Sequence, residues 1–540
     1  MGVPGLFLWL NKKYDSFILN LDDSIKFKWL CLDANCLLHP KCYEVLNENK
    51  DFKSLKELEE KMINRCIEYI SELVRKTDPS EGVYIAVDGV APMGKIKQQR
   101  QRRFKSLLDD KMRDSIKRKY NKEIEKKWSN SALTPGTEFM SRITSKIIGW
   151  CRVQKRRIIF SSAHSEGEGE HKILNFIRER GRDNLGGNYL VYGLDADLIY
   201  LSMASQRGDI YLLRENNKMG GDSSILNVID IESMKRGIIR EMDSNLNDRE
   251  RINDFIFLGY FLGNDFLPHF VSLDIYNNGM DILLEKYKEC NMELKESIVM
   301  LEEGVRINKR MLVRLLEKLV EIEESLIKSN INKRGKRLKS VEGYEREMER
   351  IEKLLFRIDD PIMLCEGDYS EYSERYYRYY IKDYDETTRL KVCYEYIKGL
   401  VWNTEYYFVD CCSWEYYYKY DCAPFLSDLL KILKLIELEK IVFKKGEILN
   451  PLMQLMIVLP LGSGYLLPDK LNNGRKEISD LYPNRVEQDF LYKHFHWQGV
   501  PLLPDIDVER VRGVYNKFES KLDIKERKRD VRKKEFYFNI

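Results

Sequence analysis

The N-terminal half of the chain predicts an α/β fold, and three observations carry that prediction. Short apolar runs rich in Val, Ile, Leu and aromatics recur near 29–38, 83–88, 157–162, 188–202 and 209–213. Stretches with helical periodicity separate them at 55–76, 168–180 and 254–262. Most runs are apolar at successive positions, the pattern of parallel strands covered on both faces. Strand text alternating with helix text then argues for a parallel sheet flanked by helices.

Taken in order, the elements share one peculiarity. The runs Trp29-Leu-Cys-Leu-Asp33 and Val83-Tyr-Ile-Ala-Val-Asp88 each close on an acid. His164-Ser-Glu-Gly-Glu-Gly-Glu-His-Lys172 sets Glu168 and Glu170 at a predicted helix start, and Tyr192-Gly-Leu-Asp-Ala-Asp-Leu-Ile199 sets Asp195 and Asp197 at a strand's C-terminal end. In open α/β sheets that edge is where ligands bind. Asp254-Phe-Ile-Phe-Leu-Gly-Tyr-Phe-Leu262 is apolar on nearly every face, a buried helix that delivers Gly263-Asn-Asp265 to the same place.

A strand-end Asp is often only the cap of the next helix. Seven acids in apolar text are a different matter, because buried carboxylates repel one another and need an opposing cation. Oxygen ligands without a zinc-type Cys or His spacing favour Mg²⁺, with Mn²⁺ as the alternative. Two such ions roughly 4 Å apart are the usual machinery of in-line phosphodiester cleavage. The residues therefore point to a metal-dependent nuclease or phosphatase.

Composition bounds the remaining choices. The chain has 540 residues, 43% of them hydrophobic, enough for more than one core. No apolar run approaches the ~18 residues of a membrane span, and the first residues lack the layout of a signal peptide. The 11 cysteines are scattered through apolar segments, none in a zinc-type CxxC pair, so free thiols and an intracellular protein are expected. Adjacent Cys411 and Cys412 read as small core residues.

A net charge of +3 says little, but its distribution is uneven. From Lys95 to Trp128 there are fourteen Lys and Arg against five Asp and Glu, with no Gly or Pro. This predicts a long, projecting, basic helix over about 95–128. Lys95, Gln99, Arg102 and Arg103 share one face at its start, where free backbone N–H groups and the helix dipole favour a terminal phosphate.

The α/β nuclease domain is placed at 1–285. A helical connector rich in Lys, Arg and Glu follows over 286–357, with an exposed basic loop near 328–338. Residues 358–515 form a second, mostly helical region dense in aromatics, including Tyr406-Tyr-Phe408 and Trp414-Glu-Tyr-Tyr-Tyr418. Most of those rings should be core, with one or two free to stack on bases. Residues 516–540 read as a solvated basic tail.

With these residues in hand, the chain resembles the XRN-type 5′→3′ exoribonucleases. The resemblance rests on motifs in family order: Met1-Gly-Val-Pro-Gly-Leu6, Asp33-Ala-Asn35 with His39-Pro40, Val87-Asp-Gly-Val-Ala-Pro92, Gln98-Gln-Arg100 with Arg102-Arg-Phe104, Pro135-Gly-Thr-Glu-Phe-Met140, Gly167-Glu-Gly-Glu-His-Lys172, Gly193-Leu-Asp-Ala-Asp197 and Gly263-Asn-Asp-Phe-Leu-Pro-His269. It continues in Ser413-Trp414, Ala423-Pro-Phe425, Gln454-Leu-Met456 and Trp497-Gln-Gly-Val-Pro-Leu-Leu-Pro504. Departures include Cys36, Met93, Gly94 and Glu166, and then Lys419 and Asp421 in the aromatic region. None removes one of the seven acids.

The resemblance implies a PIN-like 5′-nuclease core with the second region packed on it, in outline a minimal or nuclear-type member. It implies that Asp33, Asp88, Glu168, Glu170, Asp195, Asp197 and Asp265 are catalytic, Mg²⁺-binding carboxylates. It makes Lys95, Gln99, Arg102 and Arg103 the 5′-phosphate pocket, His39 a ring that stacks on the terminal base and Trp414 its partner across the interface. The implied activity is hydrolysis of 5′-monophosphorylated single-stranded RNA to mononucleotides in RNA decay or processing. A monomeric core, a pyrophosphohydrolase-like protein partner and the nucleus in preference to the cytoplasm complete the expectation.

Two rivals make different demands. A flap endonuclease-like DNA nuclease should carry a glycine-rich loop after the last Asp, whereas Asp265 is followed by Phe266-Leu-Pro-His-Phe-Val-Ser-Leu-Asp274. A silent RNA-binding scaffold would gain nothing from seven mutually repelling acids.

Overall fold

The computed structural model describes residues 3, 5–14, 17–21, 25–124, 127–182, 186–215, 225–302, 304–334, 342–356 and 358–539. Met1, Gly2 and Pro4 of the opening motif lie outside these residues, as do Lys126 and the end of the 328–338 segment.

Among the described residues eight strands form the central sheet: β1 (Ile18–Asn20), β2 (Trp29–Asp33), β3 (Gly82–Ala86), β4 (Arg157–Ser161), β5 (Tyr189–Tyr192), β6 (Ile210–Glu215), β7 (Leu226–Asp230) and β8 (Phe536–Phe538). Their order is β1-β7-β6-β5-β2-β3-β4-β8. The five inner strands from β6 to β4 run parallel, while β1, β7 and β8 add antiparallel edges. The chain moves outward from β2 through β3 to β4, then returns to the other side of β2 for β5 and β6. The crevice between the ends of β2 and β5 is thus the topological switch point, where ligands collect in this class of sheet.

The central strands β2, β3 and β5 are buried at every position because both faces are covered. Along β2, Trp29 and Cys31 enter one hydrophobic cluster while Leu30 and Leu32 enter another on the opposite face. The helices that matter to the site are α1 (Ala34–Glu48), α2 (Leu55–Thr77), α3 (Met93–Lys119), α4 (Glu138–Val153), α5 (Gly169–Arg182), α6 (Asp197–Ala204), α7 (Asp248–Tyr260), α8 (Glu386–Phe408) and α9 (Pro451–Val458). Among the described residues no helix is long and apolar enough to cross a membrane. All eleven cysteines are free thiols, as their scatter predicts.

Several boundaries differ from the sequence expectation, each for a physical reason. The run predicted as one strand over 29–38 stops at Asp33, and α1 begins at Ala34, so His39 stands on a helix. The run over 188–202 is likewise a four-residue strand followed by α6, whose residues are all buried. An enclosed helix and an enclosed strand are equally apolar, so the pattern does not separate them. The basic helix ends at Lys119 rather than near 128, where Asn121 turns back with φ 51°.

Its first three turns do not project. Met93, Lys95, Ile96, Arg100 and Phe104 are buried, and the apolar ones pack with Leu452, Leu455 and Met456 of α9. The boundary placed at 285 falls inside a helix, Gly279–Leu294. One hydrophobic cluster runs from the sheet through Tyr396, Trp402, Tyr406 and Tyr407 of α8, so the aromatic region extends the nuclease core. The expected basic loop near 328–338 begins as part of a helix, Glu323–Arg334.

The expected solvated tail over 516–540 is also structured. β8 pairs antiparallel with β4 in the register Phe536 to Phe160. Asp530 accepts hydrogen bonds from the Leu452 N–H at 2.7 Å and from the Tyr515 hydroxyl, and the Lys533 N–H donates to the His164 carbonyl at 3.0 Å. Three apolar or aromatic residues, Phe536-Tyr-Phe538, suffice to add a strand to an open edge.

Candidate active site

Each acid reaches the switch point by its own route. Asp33 ends β2 in the N-cap position of α1, yet its side chain does not cap the helix. One of its oxygens, Oδ2, accepts from the Cys36 thiol at 3.0 Å. The other, Oδ1, is buried and has no partner among the described residues. Asp88 lies two residues beyond β3 and is fixed by Asn35, whose amide donates to it at 2.8 Å and accepts from its backbone N–H at 3.2 Å. The Gly169 N–H also donates to Asp88, at 2.7 Å.

Gly169 shows how tightly these parts meet. A Cβ there would stand 2.8 Å from Asp33 Oδ1 and 3.4 Å from Asp88 Oδ1, so only glycine lets α5 start between the two aspartates. That start carries Glu168 and Glu170 inward, both buried. Ligand-capable atoms of Glu168, Glu170 and His171 lie within 4.8 Å of one another. Asp195 and Asp197 follow β5, and Gly263, at φ 84°, turns the chain after α7 to present Asp265.

The electrostatics are those of crowded, dehydrated acids. Burial, then the neighbouring Asp88 charge, raises the Asp33 carboxyl to about 7. Burial, then Asp265, does the same to Asp197, also to about 7. Glu170 is pushed well above the ordinary carboxylate range by burial, against the opposing pull of Lys95. Burial holds the His171 imidazole well below its usual range, and its ring packs on Tyr406 with centroids 3.8 Å apart.

Lys95 answers part of this repulsion. Its ammonium, itself buried, pairs with Glu168 and lies 2.7 Å from Asp265 Oδ2. Desolvation opposes the charged ammonium, but the flanking acids, Asp265 first, raise its pKa well above the usual lysine range. The same partnership outweighs burial at Asp265, whose carboxyl is held below the ordinary range. Lys95 therefore belongs to the acidic cluster as much as to the basic face that the sequence gives it.

The other basic-face residues line up behind it. Arg102 Nη2 is 3.8 Å from Asp265 and is the more exposed partner. Arg103 is half-buried, donates to the Thr134 hydroxyl and keeps a buried Nε–H without a partner among the described residues. Burial, then the charge of Arg102, lowers its guanidinium to about 10. Gln99 accepts from the Gln454 amide of α9 at 3.2 Å, and Gln454 also takes the Ala91 N–H at 3.0 Å.

One cavity of about 430 Å³ gathers most of these groups. Asp33, Asp88, Glu168, Glu170 and Asp195 line it together with Lys95, Gln99, Arg102 and Arg103, and His39 joins them from α1. Asp265 joins through Lys95, and Asp197 through its repulsion with Asp195 and Asp265. Trp414 is the exception among the sequence-predicted residues. It lines a different cavity, of about 910 Å³, and its carbonyl accepts the Met93 N–H at 2.9 Å. Among the described residues His39 is the only aromatic ring lining the acid-lined cavity.

Sequence reasoning missed the second region's contribution to the acids. The Tyr406 hydroxyl donates to Glu168 at 2.7 Å, and the Tyr407 hydroxyl donates to Asp197 at 2.9 Å. Both are buried, adjacent and on α8, in a stretch whose aromatic density reads as core. The signal was the polar end of a tyrosine, which needs a partner when buried.

The oxygen-rich donor set, the orphaned Asp33 Oδ1 and the raised carboxyls fit a hard divalent cation. Comparison with known proteins agrees with this chemistry. The profile described as the XRN 5′-3′ exonuclease N-terminus matches residues 1–216, and that of the Xrn1 helical domain matches residues 246–358 and 357–539. The chain is 27% identical to 5′-3′ exoribonuclease 2 of Candida albicans, over 99% of this chain and 74% of that protein. It is 29% identical to human 5′-3′ exoribonuclease 1, over 98% of this chain but 35% of the larger relative. It is 26% identical to the Drosophila melanogaster 5′-3′ exoribonuclease 2 homolog, over 98% of this chain and 72% of that protein. With both family profiles in order along nearly its whole length, the chain belongs to the XRN 5′-3′ exonuclease family.

Proposed function

We propose that this protein is a 5′→3′ exoribonuclease that removes one nucleotide at a time from 5′-monophosphorylated single-stranded RNA. The observation that carries the reading is the single cavity in which the acids, the basic face of α3 and His39 meet. Its relatives' names supply the direction and the nucleic acid. The α/β core is read as a PIN-like nuclease domain, and the seven acids as its metal-binding set.

In this reading the acids hold Mg²⁺, which when bound supplies Lewis-acid stabilisation of the phosphoryl oxygens. Gln99, Arg102 and Arg103 seat the terminal phosphate, and His39 packs on the first base. Seating fixes which phosphodiester meets the acids, so the pocket measures one nucleotide. Water then attacks the phosphorus between the first and second nucleotides and the P–O3′ bond breaks. The first nucleotide leaves with a 3′-hydroxyl, and the shortened RNA keeps a new 5′-phosphate. Tyr406 and Tyr407 hold Glu168 and Asp197 in place, positioning roles from across the two regions.

The test is degradation of a 3′-labelled, 5′-monophosphorylated RNA with Mg²⁺, beside its 5′-hydroxyl twin and an Asp195→Ala, Asp197→Ala double variant. Rapid loss of the monophosphorylated strand alone, with mononucleotide products and an inactive variant, is expected. Internal cuts indifferent to the 5′ end would overturn the exonuclease reading in favour of an endonuclease.

A further inference from the structure

Arg103, Ser106 and Asn130 line the catalytic cavity and also a second one, of about 510 Å³, on the side away from the acids. The second cavity opens between α3 and the exposed ends of α1 and of the 461–466 turn. Exposed Lys50, Lys111 and Arg113 line it. Its two acids, Asp110 and Asp114, are engaged by Lys127, the latter at 2.8 Å. Rings border it too: Tyr43 at 40% exposure and Tyr465 at 62%, near buried Trp128. Its size falls in the range of about 300–1,000 Å³ typical of small-molecule sites.

The wall shared by the two cavities is chemically suited to an anion. The Nε–H of half-buried Arg103 is itself buried there and has no partner among the described residues, a state that a passing phosphate oxygen would relieve. A shortened RNA that stays bound advances its new 5′-phosphate into the pocket just used. The side through which RNA enters is then occupied, and the released nucleotide needs another way out.

We propose that the second cavity is the outlet for the nucleoside 5′-monophosphate product. Arg103 passes the phosphate across the shared wall, the Lys111 and Arg113 charges draw it outward, and Tyr43 or Tyr465 offers a ring to the base. The inference rests on the exoribonuclease reading, since it concerns the fate of that reaction's product.

The experiment compares single-turnover removal of the first nucleotide with steady-state degradation, in the full chain and in Lys111→Glu/Arg113→Glu and Tyr465→Ala variants. It also measures inhibition by adenosine 5′-monophosphate at several RNA concentrations. The expected result is a noncompetitive component of inhibition in the parent protein. In the double variant the ratio of steady-state to single-turnover rate should drop about fivefold, because the reversed charges hinder passage of the anion in the step after cleavage. Purely competitive inhibition, with the rate ratio unaltered in both variants, would overturn the outlet while leaving the exoribonuclease intact. A parent protein that releases no mononucleotides from the 5′ end would instead sink the underlying reading, and the outlet with it.

Discussion

Replacing Lys95 with Met tests whether this lysine serves the acids, the phosphate or both. In the structure its ammonium is buried against Glu168 and Asp265, and removing it leaves two dehydrated acids without their nearest cation. Breaking a buried ion pair from one side costs about 3–5 kcal/mol. At an unfolding entropy of about 2.1 cal/mol/K per residue, a chain of 540 residues loses roughly 3–4 °C in Tm for such a change. That loss should be seen in chelator. With saturating Mg²⁺ a cation again stands among the acids, so the difference between parent and Lys95→Met should shrink to about half or less. Paired thermal melts in chelator and in Mg²⁺ provide the assay, with cleavage of 5′-monophosphate and 5′-hydroxyl RNA alongside. An equal loss in both conditions would refute the idea that Lys95 stands in for a cation. No loss in either would refute the buried pairing itself.

The remaining predictions address the site's construction. Tyr406→Phe deletes the hydroxyl that holds Glu168, a hydrogen bond to a charged group worth about 1.5–3 kcal/mol, and should raise the Mg²⁺ concentration for half-maximal cleavage by roughly tenfold or more; an unchanged Mg²⁺ titration would remove Tyr406 from the site. Gly169→Ala forces a methyl into 2.8 Å of Asp33 Oδ1 and should abolish most cleavage while the far-ultraviolet circular dichroism is kept. In chelator, Asp33 and Asp197 are raised to about 7, so the folded protein holds protons between about pH 4 and 7 that the unfolded chain releases. Stability should then fall as pH rises through that window, by at most about 1.4 kcal/mol per pH unit for each acid, and Mg²⁺ should flatten the slope. A melting temperature in chelator that climbs from pH 5 to 7 would contradict this sign. Truncation before Asp530 removes β8 and the bonds to His164 and Leu452, and should lower Tm and slow cleavage together, because His164 opens the segment that carries Glu168.

The acids were legible because an ionisable residue at the end of an apolar run has few reasons to be there. The parallel sheet was legible for a related reason, since runs such as Trp29–Asp33 are apolar on both faces. What stayed hidden was set by distant parts of the chain. Nothing near Lys95 announces Glu168 and Asp265 as its partners, and its neighbours Gln99 and Arg102 suggest only an anion. Tyr406 and Tyr407 sit among many tyrosines, and only the fold decides which hydroxyls meet a carboxylate. Trp414 and His39 line different cavities because the Ser413-Trp414 segment is fastened to the first residue of α3. The basic charge of the last residues concealed the three-residue strand that closes the sheet edge.

The two neighbouring tyrosines of α8 impose a rotational constraint on that helix. Successive residues of an α-helix point about 100° apart, so Tyr406 and Tyr407 reach Glu168 and Asp197 like two hands of a clock set to one hour. Adding or deleting one residue within α8 upstream of them would turn both hands together and release both acids at once. Length changes should therefore accumulate in the joints around the helix, before Glu386 and after Phe408, while its interior keeps a fixed count.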